Sequence, residues 1–101
     1  NVSSICAITG FSGSSAYCAA KAGLEGMSRA MVEECRPKGI KVSVLRPGAT
    51  ETPLWKSIPG EFDFSKMLSP EKVAESMEFI LLQSSFAWTE TLEILPPGGN
   101  L

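Results

Sequence analysis

Tyr17 and Lys21 stand four residues apart, and Ser4 precedes the tyrosine by thirteen residues. A free tyrosine has a pKa of about 10, so at neutral pH it exchanges protons poorly. An ammonium group beside the phenol favours the phenolate and brings that pKa toward the range of general acid–base catalysis. Residues i and i+4 of an α-helix share one face, so this spacing supplies the proximity, with Ser4 as a hydroxyl partner. A helix with one tyrosine and one lysine also shows this spacing by chance, and the pair alone identifies no site.

Three short apolar segments are predicted to be strands that position these residues. Residues 2–5 are interpreted as the end of one strand, with a serine at its C-terminal edge. Residues 40–45 form the second, because their β-branched side chains suit a buried parallel position. Residues 91–95 form the third. The turn Pro47-Gly48 follows the second strand, with threonines beyond it.

Two helices are predicted between these strands. The first is expected over 15–36, from a serine cap to the helix-breaking residues Pro37 and Gly39. Its predicted apolar face comprises Leu24, Met27, Met31 and Cys35. The second is expected over 69–83 and opens with a serine cap, a proline and a glutamate. Strand–helix–strand–helix–strand is the alternation of an α/β protein with a parallel sheet.

The order of these motifs resembles the short-chain dehydrogenase/reductase family, in its single-domain branch. A serine after a strand, Tyr-x-x-x-Lys on the next helix, and a strand followed by Pro-Gly-x-x-x-Thr occur in that order from residue 1 to about 99. The resemblance implies the C-terminal part of a Rossmann-type doubly wound parallel sheet. It also implies an NAD(P)-dependent oxidoreductase, which transfers a hydride between nicotinamide and an alcohol or ketone carbon.

The resemblance assigns a catalytic role to each residue of the opening constellation. Tyr17 is expected to be the general acid in carbonyl reduction, or the base in alcohol oxidation. Lys21 is expected to lower the pKa of that tyrosine and to hold the ribose hydroxyls of the cofactor. Ser4 is expected to stabilise the substrate oxygen as negative charge develops there. Spacing to Tyr17 favours Ser4 over Ser3, and the alternative for either serine is a hydroxyl that satisfies a local backbone group.

A nicotinamide cofactor, NAD or NADP, is implied by the same resemblance. Its expected contacts are Tyr17, Lys21, Pro47, Gly48, Thr50 and Thr52. Thr52 matches the family threonine that contacts the nicotinamide carboxamide. Thr50 stands where the family usually has an apolar residue, so its backbone amide is the expected contact.

The glycine-rich turn that holds the cofactor pyrophosphate in this family does not occur in the sequence. We therefore expect residues 1–101 to be the C-terminal catalytic portion of a single NAD(P)-binding Rossmann-fold domain. The N-terminal cofactor-binding half is expected to be absent from this chain, and the isolated 101 residues are expected to be inactive. The alternative is a non-catalytic fragment or interaction module that retains the motif but cannot bind a dinucleotide.

The segment after Thr52 carries several aromatic residues in an irregular region. Trp55, Phe62 and Phe64 are interpreted either as a lid over a partly apolar substrate or as a satellite core that pins the loop. The expected substrate contacts are Ser4, Tyr17 and Trp55. Arg46, directly before the Pro-Gly turn, is interpreted as a solvated strand end, with an anion contact as the alternative.

Composition narrows the classes of function. The 101 residues carry a net charge of −2 and no histidine, so there is no basic patch for nucleic acid and no Ser-His-Asp triad. The absence of histidine also argues against the usual metal sites, and we expect none. Cys6, Cys18 and Cys35 lack a Cys-x-x-Cys spacing and are interpreted as small buried hydrophobic residues in a reducing cytosol.

Localisation and partners follow from the same observations. No apolar run is long enough for a membrane span, and no signal peptide pattern is present, so the sequence predicts a cytoplasmic protein. The expected partner is a small-molecule alcohol or ketone, with neither nucleic acid nor membrane. The family resemblance further implies a homodimer or homotetramer.

Overall fold

A computed structural model describes residues 1–99 of the chain. Within them, two helices and two strands alternate as α1 (Ser15–Cys35), β1 (Val44–Pro47), α2 (Pro70–Leu81) and β2 (Thr91–Ile94). Short 3₁₀ helices lie in the connections, at Ile5–Ala7, Arg36–Lys38, Pro53–Ser57 and Phe64–Lys66. The predicted α/β class is confirmed.

The two strands form a parallel sheet, and the first segment of the chain borders the other side of β1. β1 pairs with β2 in a register that runs from Val44 opposite Thr91 to Pro47 opposite Ile94. On its other side, β1 forms a parallel bridge between Leu45 and Val2. Two backbone hydrogen bonds flank that bridge, from the Ser3 amide to the Leu45 carbonyl at 2.8 Å and from the Leu45 amide to the Asn1 carbonyl at 2.9 Å. The first segment is therefore the neighbour of β1, as the parallel α/β prediction requires.

The predicted bounds of the first two strands are wrong. Only Val2 of residues 2–5 is bridged, because the Ser4 hydroxyl accepts a hydrogen bond from the Cys6 amide and caps the 3₁₀ helix Ile5–Ala7. The second strand begins at Val44 rather than residue 40, and Ile40 is 53% exposed. Strand geometry persists where a neighbouring strand satisfies the backbone groups, and β2 pairs only with Val44–Pro47. The third strand has its predicted position.

Helix α1 begins and ends close to its predicted bounds. It opens at Ser15 after Ser14, whose side chain makes no capping hydrogen bond. The 3₁₀ helix Arg36–Lys38 follows, and Gly39 ends it in the left-handed conformation with φ of 71°. That conformation suits glycine, which is why this residue stops the helix.

The predicted apolar face of α1 is wrong, because a different face of the helix is buried. Leu24, Met31 and Cys35 are only half-buried, and Met27 is 52% exposed. The buried residues are instead Glu25, Ser28 and Val32. The Ser28 hydroxyl donates to the Leu24 carbonyl and accepts from the Asn1 side-chain amide, both at 2.8 Å. Hydrophobic periodicity does not reveal this face, because two of its three residues are polar and are buried through hydrogen bonds.

Helix α2 has the predicted cap. The Ser69 hydroxyl accepts from the Lys72 amide at 3.4 Å, Pro70 opens the first turn, and Glu71 lies in that turn. The helix ends at Leu81, two residues before the predicted end, and packs against β1 and β2. In the part of the chain that the structure describes, neither helix is long and apolar enough to cross a membrane.

The loop between α2 and β2 is tied to the segment that leads into β1. The Lys41 ammonium donates to the carbonyl groups of Ser84, Ser85 and Ala87, at 3.3, 3.2 and 2.7 Å. The Trp88 indole donates to the Val42 carbonyl at 3.2 Å. These bonds hold the start of β2 beside the start of β1.

The buried hydrophobic core is small and lies where the first segment, α1 and β1 meet. Its members are Ile5, Val32, Val44 and Leu45, each no more than 7% exposed. These same elements carry Ser4, Tyr17 and Lys21 and lead into the Pro47-Gly48 turn. The core therefore supports the region in which the sequence predicts a site.

Candidate active site

Tyr17 and Lys21 lie on one face of α1, in its first two turns. The Lys21 ammonium nitrogen is 5.6 Å from the centroid of the Tyr17 ring. Tyr17 is 41% exposed, so a small molecule can reach its phenol group. The helix therefore provides the proximity that the four-residue spacing predicts.

Lys21 also contacts the segment that leads to Ser4. Its ammonium nitrogen donates to the Val2 carbonyl at 3.2 Å. An ammonium group carries three donors, so this bond leaves two for other partners. Lys21 thus has a defined position beside the first segment and retains hydrogen-bonding capacity.

The two adjacent serines have different surroundings. Ser3 is 4% exposed, and its hydroxyl donates to Oε1 of Glu25 at 2.7 Å. Ser4 is half-buried, and its hydroxyl oxygen accepts from the Cys6 amide at 3.2 Å. A hydroxyl that accepts still has its own hydrogen to donate. The Ser4 hydroxyl thus makes the local backbone contact of the alternative interpretation and still has a hydrogen to donate, whereas the Ser3 hydrogen is engaged by Glu25.

The turn after β1 lies very close to the end of β2. The Gly48 amide donates to the Ile94 carbonyl at 2.8 Å. A Cβ atom at Gly48 would lie 2.9 Å from Cδ2 of Leu95 and 3.0 Å from Cδ of Pro96. A side chain at this position would therefore require Leu95 and Pro96 to shift.

The Thr50 side chain turns back onto this turn. Its hydroxyl donates to the Gly48 carbonyl at 3.0 Å. Thr50 also forms a parallel bridge with Leu68, flanked by a hydrogen bond from the Leu68 amide to the Ala49 carbonyl at 2.9 Å. Its hydroxyl is thus engaged locally, which leaves a backbone contact as its predicted role.

Thr52 lines an open cavity next to the turn. It precedes the 3₁₀ helix Pro53–Ser57, and its side chain makes no capping hydrogen bond to that helix. The cavity has a volume of about 330 Å³ and is lined by Glu51, Thr52, Pro53, Lys56 and Phe64. The Thr52 side chain is half-buried at this surface, where a bound molecule can contact it.

Trp55 pins the irregular segment to the turn. Its indole nitrogen donates to the Thr50 carbonyl at 2.6 Å, and its ring lies 4.6 Å from the Phe62 ring, centroid to centroid. Phe64 differs, since it is 42% exposed and lines the cavity beside Thr52. Trp55 and Phe62 thus have the contacts of a satellite cluster, whereas Phe64 has the position that a lid residue needs.

The interpretation of Arg46 as a solvated strand end is wrong. Its side chain is 15% exposed and forms an ion pair with Glu25, whose side chain is 6% exposed. The guanidinium donates from Nε to Oε1 of Glu25 at 2.8 Å and from Nη2 to Oε2 at 2.5 Å. Its Nη1 donates to Oε2 of Glu93 at 3.0 Å.

This ion pair determines the charge states of its members. The hydrogen bonds from Arg46 hold the pKa of the Glu25 carboxyl below its usual value, although burial opposes the shift. The same hydrogen bonds raise the pKa of the Arg46 guanidinium. Both side chains are therefore charged at neutral pH.

Sequence reasoning missed Glu25 entirely. Two signals were available, because Glu25 follows Lys21 by four residues on the same helix face and Arg46 directly follows the apolar residues Val44 and Leu45. A charge in a buried strand requires a partner of opposite charge.

Among residues 1–99, no group of three histidine, cysteine, aspartate or glutamate side chains is arranged to hold a metal ion.

Comparison with known proteins gives one family. The sequence model of the short chain dehydrogenase family matches residues 1–61, which contain Ser4, Tyr17, Lys21 and the Pro-Gly turn. A cis-4-hydroxycyclohexanecarboxylate dehydrogenase of Sinomonas cyclohexanicum is 34% identical over 88 residues, which are 79% of this chain and 35% of that protein. An acetoacetyl-CoA reductase of Acinetobacter sp. is 29% identical over 103 aligned positions, covering 93% of this chain and 42% of that protein.

Solved structures agree with this family. A short chain dehydrogenase/reductase family protein superimposes with a TM-score of 0.79 at 29% identity, covering 97% of this chain and 43% of that one. The chain thus spans less than half the length of the relatives it matches. The family match covers the first segment, α1, β1 and the turn after it. The chain belongs to the short chain dehydrogenase family.

Proposed function

We propose that the protein containing this chain is an NAD(P)-dependent oxidoreductase, which transfers a hydride between nicotinamide and an alcohol or ketone carbon. One observation carries the proposal. The Lys21 ammonium nitrogen lies 5.6 Å from the centroid of the Tyr17 ring on one face of α1, and Lys21 is hydrogen-bonded to the segment that presents Ser4. Family membership supports the same reaction type.

The proposed roles follow from the chemistry of each side chain. In the direction of reduction, the Tyr17 hydroxyl gives its proton to the substrate oxygen while the Ser4 hydroxyl donates a hydrogen bond to that oxygen. The Lys21 ammonium stabilises the phenolate that remains. In the direction of oxidation, the phenolate takes the proton from the alcohol. The nicotinamide ring supplies or accepts the hydride when the cofactor is bound.

Several residues fit a nicotinamide cofactor, NAD or NADP. Lys21 has two donors beyond its bond to Val2, and these suit the neighbouring hydroxyls of a ribose. Thr52 stands at an open cavity next to the turn, where its side chain suits the carboxamide. Pro47, Gly48 and Thr50 shape that turn at the carboxyl end of a parallel strand, which is where α/β sheets bind ligands.

We further propose that the pyrophosphate of the cofactor binds to a part of the same domain outside residues 1–101. The sequence has no glycine-rich turn between a strand and a helix, and its relatives are more than twice as long. The competing hypothesis is a non-catalytic module that retains the motif, and cofactor binding distinguishes the two.

The test uses the full-length protein that contains this chain. Binding of NADPH and NADH is measured by calorimetry, and turnover is followed by loss of nicotinamide absorbance with acetoacetyl-CoA as the ketone. Tyr17→Phe is expected to lower kcat by roughly 10²–10⁴-fold, because the proton donor is lost, and to leave cofactor affinity largely unchanged.

Lys21→Met tests the second residue against a matched control. It is expected to weaken cofactor binding and to lower kcat, whereas Lys72→Met on α2 removes an exposed ammonium and should alter neither. Turnover of Tyr17→Phe within a few-fold of the unmodified protein would contradict the proposed role. Failure of the full-length protein to bind either cofactor would favour the non-catalytic module.

A further inference from the structure

We propose that Glu25 is a positioning residue, whose carboxylate holds the three segments carrying the proposed site residues in fixed relative positions. The inference rests on the proposed function for its catalytic consequence. The structural role of Glu25 does not depend on that function, because Glu25 accepts hydrogen bonds from two segments that are remote from it in the sequence.

The first segment is attached to Glu25 next to Ser4. The Ser3 hydroxyl donates to Oε1 of Glu25 at 2.7 Å, and Ser3 immediately precedes the proposed catalytic serine. One helical turn earlier, the Lys21 ammonium donates to the Val2 carbonyl at 3.2 Å. Two attachments one turn apart restrict both the distance and the rotation between α1 and this segment, whereas a single bond would allow pivoting.

The second segment is attached next to the Pro-Gly turn. Arg46 directly precedes Pro47 and donates two hydrogen bonds to the Glu25 carboxylate, at 2.8 and 2.5 Å. Paired bonds between a planar guanidinium and a carboxylate fix orientation as well as distance. Its remaining terminal nitrogen donates to Glu93 of β2 at 3.0 Å. All three guanidinium nitrogens are thus engaged, so Arg46 cannot reorient without breaking bonds to two elements.

Glu25 itself lies one turn beyond Lys21 on α1, and its carboxylate accepts all three bonds. Each attachment therefore lies close to a proposed site residue in the sequence. Ser3 is next to Ser4, Arg46 is next to Pro47, and Glu25 follows Lys21 by four residues. No other side chain in the described part of the chain is shown to bridge these three segments.

Stability alone is a weak reason for such a pair. Burial of two charges incurs a large desolvation penalty, and apolar residues of similar volume often support a fold equally well or better. Apolar contacts, however, lack the directional bonds that set the relative position of two elements. A positioning role and a purely structural role therefore predict different outcomes when the pair is made apolar.

The experiment replaces the pair by Glu25→Met with Arg46→Met in the full-length protein. The melting temperature should be retained, while kcat should fall by roughly 10–100-fold because misplacement by about 1 Å is costly in catalysis. KM for the cofactor should change much less. Glu25→Gln keeps one acceptor oxygen and should give an intermediate kcat. The matched control is Lys72→Met with Glu75→Met, an exposed pair on α2 that should alter nothing.

Hydrogen exchange provides a readout that does not require activity. Amides of residues 1–9 should exchange several-fold faster in the apolar double variant, while those of α2 keep their protection. Unchanged exchange in residues 1–9, or an unchanged kcat per folded molecule, overturns the positioning role. If the double variant does not fold, the same two measurements on Glu25→Gln, exchange in residues 1–9 and kcat per folded molecule, decide the positioning role. If the unmodified protein shows no turnover, the proposed function is at fault, and exchange alone decides the positioning role.

Discussion

A side chain at Gly48 would be in tight contact with its neighbours, although the Gly48 backbone does not have a positive φ. The restriction comes from Leu95 and Pro96, which follow β2 and pass close to the turn after β1. The proline ring is joined to its backbone at both ends and cannot rotate away. A single residue thus controls how closely the two strand ends approach at the proposed cofactor site.

Gly48→Ala should therefore lower the free energy of unfolding by about 1–3 kcal/mol, because the added Cβ forces a backbone shift. Chemical denaturation of the full-length protein measures the change. Gly98→Ala is the matched control, since a Cβ there meets no atom within 4 Å. It should change stability by less than about 0.5 kcal/mol. Equal stability of the two variants would show that the turn has more room than the structure indicates.

The relative positions of single residues were predictable from the sequence where they depend on local spacing. The proximity of Tyr17 and Lys21 follows from helical geometry, and spacing to Tyr17 selects Ser4, whose hydroxyl the structure leaves able to donate. The pairing of Glu25 with Arg46 was not predictable in this way, because residues 21 positions apart meet only through the fold. Their roles in the reaction stay predictions.

Among the secondary-structure elements, α1 and the sheet are joined by the buried ion pair of Glu25 and Arg46 as well as by apolar packing. Helix ends were predictable because Ser69, Pro70 and Gly39 act through local backbone chemistry. The buried face of α1 was not, because Glu25 and Ser28 are polar and are buried by partners distant in the sequence. Strand bounds failed for a related reason, since a strand extends only as far as its neighbours do.

The contact between α1 and β1 predicts a particular acid sensitivity. Hydrogen bonds from Arg46 lower the pKa of Glu25 in the folded state, so the unfolded state binds the proton more readily. The stabilisation is therefore fully present above the ordinary pKa of 4.5 and is lost as the pH falls through the folded value. We expect the free energy of unfolding to decrease with pH in that acidic window.

Denaturation at a series of pH values measures this dependence. Glu25→Gln should reduce the slope below pH 4.5, because the titrating group is gone. Asp63→Asn is the control. Hydrogen bonds from Ser65 and Lys66 also lower the pKa of the Asp63 carboxyl. This carboxyl lies on the exposed surface, where solvent screening weakens its contribution to the pH dependence of stability. An unchanged slope in Glu25→Gln would show that another carboxylate dominates acid unfolding.

On the scale of the whole molecule, large apolar side chains are exposed in residues 1–99. Leu81 and Leu82 are each 74% exposed, and Phe86 is fully exposed. This exposed apolar surface suits a contact with another protein surface. It supports the proposal of a homodimer or homotetramer, and equally a contact with further parts of the same domain.

The order of motifs along the chain predicted the family at this scale, because serine, Tyr-x-x-x-Lys and Pro-Gly-x-x-x-Thr are distributed over several elements. Cofactor preference and substrate identity were not predictable. They depend on groups that contact the adenosine ribose and the substrate, and the cavity beside Thr52 defines only a partly apolar surface.

The most direct test of the central claim follows the hydride itself. The full-length protein is incubated with acetoacetyl-CoA and with NADPH or NADH that is deuterated at both positions of the reactive nicotinamide carbon, and the product is analysed by mass spectrometry. The account predicts one deuterium on the carbon that was the carbonyl, and formation of labelled alcohol by Tyr17→Phe that is slower by roughly 10²–10⁴-fold. An alcohol without deuterium, or labelled alcohol formed by Tyr17→Phe at the unmodified rate, would contradict it.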